Sequence, residues 1–142
     1  MINDVQMLNY IRKNTQMGID GIQVVLEHTQ DNKLSQVLNS QLEEYRSIYN
    51  SADEMLKNRG GQEENVNAAI KISSHLMGKF KAMKDNSSSS IAESMIKGSA
   101  SGVTKIIKHQ NEYSGEDSDI KALSEKLLYT EQSNIEQLKM FL

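Results

Sequence analysis

The sequence predicts an all-α fold, an antiparallel four-helix bundle with one long crossover. Three observations predict it. No proline interrupts the 142 residues, and proline is what breaks long helices. Four segments carry apolar residues at alternating three- and four-residue spacings, the mark of one buried helix face. Two breaks between these segments are short, whereas the third is about 30 residues long, enough to return along the length of a bundle.

The first helix is predicted over about 4–29, with Leu8, Ile11, Thr15, Gly18, Ile22 and Val25 on its inner face. Asp31 and Asn32 then break the pattern and are N-cap candidates for the next helix. That helix spans about 33–58, with a stripe of Leu34, Leu38, Gln41, Tyr45, Ile48, Ala52 and Met55. Lys57 and Arg59 followed by Gly60 and Gly61 form a helix stop, since basic groups suit the last turn and glycine suits the residue after it. A shorter helix over about 64–83 lies within the crossover, with Val66, Ala69, Ile70, Leu76, Met77 and Phe80 as its apolar content. Residues Lys84 to Ser90 read as a polar, flexible joint.

Ser90 with Glu93 three residues later matches a capping box and opens a helix over about 90–113. Its inner face carries Ala92, Met95, Ser99, Gly102, Ile106 and His109. A turn at Ser114 to Ser118 leads into the last helix, about 118–141, with Ile120, Leu123, Leu127, Asn134, Leu138 and Phe141. At 1.5 Å per residue, helices of roughly 22–27 residues are about 33–40 Å long. They build one domain over residues 1–142. A weak internal echo relates the two hairpins. Gly21 to His28 aligns with Gly102 to His109, and Glu44 with Ile48 aligns with Glu131 with Ile135.

The chain resembles the ferritin-like superfamily over essentially its whole length. Within it, the likeness is to a family of small bacterial four-helix proteins of uncharacterised function. It rests on Asp20-Gly21, Leu38, Leu42-Glu43-Glu44 and Gly60-Gly61, and on Ile91-Ala92-Glu93 through Lys97-Gly98 to Val103. Catalytic members of that superfamily hold two metal ions with a Glu from each of two helices and Glu-x-x-His from each of the others. The resemblance therefore implies a metal position at mid-bundle. Here Ser47 stands three residues after Glu44, and Asn134 three after Glu131, so neither histidine is present. The facing positions hold Gly18, Gly21, Gly98, Ser99 and Gly102. The metal site is expected to be degenerate, with Glu44 and Glu131 its only candidate ligands.

Other chemistry is thinly represented. The chain has no cysteine, so thiolate metal sites and disulfides are excluded, and a reducing compartment is compatible. The net charge of −3 leaves no basic nucleic-acid footprint. No apolar run approaches the ~20 residues that span a bilayer. The start, Met-Ile-Asn-Asp, lacks the basic and apolar regions of a signal peptide, so a cytoplasmic location is expected. There is no phosphate-binding glycine loop and no zinc spacing.

Two candidate sites follow. Gln41, Glu44, Ser47, Tyr129, Glu131 and Asn134 are candidates for a buried polar cluster, in which an inward Glu44 would need Tyr10, Tyr129 or Asn134 to offset its desolvation; the other reading is solvated glutamates with at most one inward. Gly18, Gly21, Gly98, Ser99 and Gly102 are expected at close helix packing or around a cavity, because each helical glycine costs about 0.5–1 kcal/mol and calls for a reason. His28 and His109 fall near helix C-termini, at opposite ends of the bundle, where the dipole favours their charged form. His75 reads as a surface or partly buried residue. The expected function is non-catalytic, as an interaction, structural or stress-associated bundle without a cofactor. One alternative is a di-iron or di-manganese oxidase or storage protein with an unusual ligand set. Another is a small-molecule site in a central cavity. An unidentified protein partner is compatible with the first reading. So is side-by-side homodimer formation, although no apolar stripe is broad enough to require it.

Overall fold

The computed structural model describes residues 1–61 and 85–142. Four long helices make up most of them: α1 (Asp4–Leu26), α2 (Asn32–Asn58), α3 (Ser88–Glu112) and α4 (Ser118–Leu138), followed by a 3-10 turn at Lys139–Phe141. Among the described residues there is no strand, only an isolated bridge between Ile2 and Tyr113. The crossover helix expected over 64–83, and His75 on it, lie outside the described residues.

Each helix starts on a side chain that accepts from its free N–H groups, which have no partner within the helix. At α1 a capping box does this: Gln6 N donates to Asn3 Oδ1, and Asn3 N donates to Gln6 Oε1, both at 2.9 Å. Asp31 caps α2 through Oδ1, which accepts from Lys33 N and Leu34 N. Asp117 caps α4 the same way, accepting from Asp119 N and Ile120 N. Each of these aspartates uses its second oxygen to tie its helix to another. Ser88 Oγ, at the start of α3, donates to Asp31 Oδ2 at 3.0 Å. Arg59, just past the end of α2, donates from Nε and a terminal nitrogen to Asp117 Oδ2 at 2.8 and 2.6 Å.

The start of α3 differs from the expected capping box at Ser90 and Glu93. Ser87 is the cap, its hydroxyl accepting from Ser90 N at 3.2 Å. Asp85 decides this by holding Ser87 through its N–H at 2.8 Å and its hydroxyl at 2.9 Å, which starts the helix early. Glu93 pairs with Lys97 instead. The serines from Ser88 to Ser90 are therefore a first helical turn, not a flexible joint. The end of α1 also differs, stopping at Leu26 instead of near Thr29. His28 N and Thr29 N donate to Val25 and Leu26 in a terminal turn, and the Thr29 hydroxyl donates to Val25 O. The last helix ends at Leu138, where the backbone tightens into the 3-10 turn.

The end of α2 follows the glycine stop. Gly60 has φ +67°. Gly61 N donates to Leu56 O and Gly60 N to Lys57 O, which together form a Schellman motif. At the other end of the chain Ile2 pairs with the exit of α3, donating to Glu112 O and accepting from Ser114 N, both at 2.9 Å. Tyr113 adds a short hydrogen bond to Asp4.

α1 packs chiefly along α2 and α3 along α4, with α2 and α4 joining the two pairs. The core between them includes Leu8, Ile11, Ile22, Leu34, Leu38, Ile48, Ile106, Ile120 and Leu127, all fully buried. Full burial of such side chains stabilises by about 1.5–3 kcal/mol each, before the entropy of ordering is counted. No helix among the described residues is long and apolar enough to cross a membrane.

Candidate functional site

The polar centre of this core is Glu131 on α4. It sits one turn after Leu127 and two before Leu138, within the apolar stripe, so the helix carries its carboxyl inward. Only 2% of the residue is exposed. From α2, Tyr45 Oη donates to Glu131 Oε1 at 2.9 Å. From α3, Ser99 adds a further hydrogen-bonding side chain. Gly102, also on α3, lies so close that a Cβ there would stand 3.0 Å from the carboxyl carbon and 3.2 Å from both oxygens. The other oxygen, Oε2, is buried without a hydrogen-bond partner, as is Nδ2 of Asn134 one turn further along.

Burial removes the water that would solvate a charge, and it pushes the Glu131 carboxyl up to about 7 against the opposing bonds from Tyr45 and Ser99. The same burial, with the nearby Glu131 charge second, raises the Tyr45 phenol. Tyr10 on α1 is pushed up to about 12, mainly by burial, with Glu131 contributing through its charge. The arrangement can hold or release one proton near neutrality. Among the described residues no three His, Asp or Glu side chains converge as a metal site would require.

The six candidates for a buried cluster are divided by the structure. Glu131, Asn134 and Gln41 are buried, whereas Glu44, Ser47 and Tyr129 are exposed, Tyr129 by 72%. Helical phase is the reason. Leu38, Gln41, Tyr45 and Ile48 set the inner face of α2, so adjacent Glu44 is turned about 100° away from Tyr45. Gln41 Nε2 donates to Gln137 Oε1 at 3.0 Å. Gln41 and Asn134, with Glu44 and Tyr129, line a surface groove of about 310 Å³ between α2 and α4. Ser47 lies outside it. Glu44 and Glu131 thus occupy opposite environments, so the internal echo that aligned them does not make them equivalent.

The glycines also divide. Gly18 faces the Tyr45 ring, and a Cβ there would stand 2.7 Å from ring atoms. Gly18 and Gly102 therefore give room to Tyr45 and Glu131, the two partners of the central hydrogen bond. Gly98 is exposed with open space around it, and Gly21 is half-buried. Beside Gly18 and Gly102 the space a side chain would take is filled by the Tyr45 ring and the Glu131 carboxyl. Neither histidine joins the centre. His28 is exposed, and His109 stacks on Tyr10 with ring centroids 3.4 Å apart while its Nδ1 meets Lys105 O.

Tyr45 is the site residue that sequence reasoning missed as a partner for Glu131. Its signal was present in the α2 stripe, four residues after Gln41 and three before Ile48. Its pairing with a residue 86 positions away was not visible in that pattern.

No family model matches the chain, and no curated protein does. Among solved structures, the crystal structure of a DUF305 fragment from Deinococcus radiodurans is similar, with a TM-score of 0.73 over 96% of this chain and 93% of that one. At 13% identity, the likeness is one of fold.

Proposed function

We propose that this chain is a ferritin-like antiparallel bundle with a degenerate metal position, acting non-catalytically as an interaction, structural or stress-associated module in the cytoplasm. Contacts between α1 and α2 that run in opposite sequence directions support the antiparallel reading: Arg12 meets Asp53, whereas Gly18 meets Tyr45. The short links 27–31 and 113–117 favour the same arrangement for both helix pairs. The observation that carries the functional reading is the outward Glu44 beside an inward Glu131 whose Oε1 is taken by Tyr45. A dinuclear carboxylate centre needs several inward acids or imidazoles within reach of each other. The partner is a protein of unknown identity, and a second copy of the chain is a candidate.

Thermal unfolding with and without stoichiometric Fe(II) or Mn(II) tests the reading. The expected result is an unchanged Tm, together with protein purified free of stoichiometric metal. Metal at a hundred times its Kd would add about 2.7 kcal/mol, a rise of roughly 8 °C for a chain of this size. A rise of that order would overturn the reading in favour of an iron or manganese oxidase or storage protein.

A further inference from the structure

Glu131 is placed where its charge meets two hydroxyls and no described cation. α2 supplies Tyr45, whose hydroxyl donates to Oε1 at 2.9 Å. α3 supplies the Ser99 hydroxyl and the close backbone at Gly102. α1 supplies Tyr10, which feels the carboxylate charge, and α4 itself supplies Asn134, which bears on the Tyr45 hydroxyl. The titratable groups in this shell are two tyrosines, and no described cation acts on the carboxyl. Oε2 has no partner, so ionisation would leave a charge held by incomplete bonding in a medium that favours the neutral acid. The contact with Gly102 leaves no slack on the α3 side for water to enter without movement.

We propose that Glu131 is a proton-operated latch, closed when neutral and, when ionised, drawing water in and loosening the seam between α4 and α3 at Ser99 and Gly102. Asn134, one turn away, bears on the Tyr45 hydroxyl, and its buried Nδ2 makes no close hydrogen bond. The upward push on the carboxyl sets the change near neutral pH. The latch goes beyond the non-catalytic module role and rests on one part of that reading, a Glu131 that holds no metal, since a bound cation would keep the carboxyl ionised.

Amide hydrogen exchange on the full chain between pH 5 and pH 8, corrected for base catalysis, tests it. Amides around residues 98–103 and 130–135 should open more readily than those of the α1–α2 core. Their protection should fall by up to tenfold per pH unit from about pH 5 to pH 7 and then level off. Glu131→Gln should remove the pH dependence. Tyr45→Phe removes a donor to the charged form, so it should move the levelling-off point to higher pH. A flat wild-type profile, an equal loss in E131Q, or seam amides that exchange only together with the whole chain would overturn the latch. Should E131Q not fold, a Y45F levelling-off point that stays put or moves down would do so.

Discussion

Tyr45 and Glu131 meet at 2.9 Å, and each is admitted to the core by a glycine on another helix, Gly18 for the ring and Gly102 for the carboxyl. Glu131 makes stability depend on pH. The folded Glu131 titrates near 7, above its ordinary value of 4.5. The folded state therefore binds more protons than the unfolded state between those values, and stability falls as pH rises through that window. The stabilisation is fully present below about pH 4.5 and lost by about pH 7, a change of about 3 kcal/mol. Urea midpoints at pH 5 and pH 8 should differ in wild type and agree in E131Q.

The glycines separate by what their missing side chains would meet. Gly98→Ala has open space and should stabilise by about 0.5–1 kcal/mol through helix propensity. Gly102→Ala gains the same propensity but presses on the hydrogen-bonded Glu131 carboxyl, and Gly18→Ala presses on the Tyr45 ring at 2.7 Å. Overpacking of this kind costs about 1–3 kcal/mol, so both should destabilise, G18A more than G102A. Chemical denaturation of the three variants checks the order.

Asp117 does two things with two oxygens, capping α4 and holding Arg59 at the end of α2. Arg59 is the main reason its carboxyl lies below the ordinary value. Its contribution is present above the unfolded value of 3.8 and is lost as pH falls through the lower folded one. Asp117→Asn keeps a capping oxygen and loses the charge pair, whereas Asp117→Ala loses both. Thermal melts should rank wild type above D117N and D117N above D117A. Added salt should narrow the gap between wild type and D117N. Asp117 thus loses its contribution on the acid side, whereas Glu131 loses its own as pH rises.

Gly60 ends α2 with φ +67°. Its Cβ would meet nothing, so the only obstacle to a side chain is the left-handed backbone. Gly60→Ala should destabilise by about 1–2 kcal/mol. Gly60→Asn should recover part of the loss, as read from urea midpoints.

Much of this architecture was legible because it is local. The stripe from Leu34 to Ala52, the Asp31 cap and the Gly60-Gly61 stop each follow from spacing or from backbone freedom within a few residues. The cap at Ser87 was not legible among neighbouring serines, since Asp85 makes the choice through side-chain geometry. At the centre, Glu44 stood out because it echoes Glu131 in sequence, but helical phase put Tyr45 inward instead. A contact between residues 45 and 131 depends on how two helix pairs join, and periodicity within one helix does not carry that information.

The account rests on Glu131 being a buried acid that holds its own proton and no metal. A carbon-13 NMR titration of the glutamate carboxyls, with E131Q to assign the resonance, measures this directly, with and without one equivalent of Mn(II). The account predicts one glutamate titrating near pH 7, with the same midpoint and no selective broadening when Mn(II) is added. A Glu131 that titrates in the ordinary range near 4.5, or whose carboxyl resonance is lost to Mn(II) at one equivalent, would contradict it.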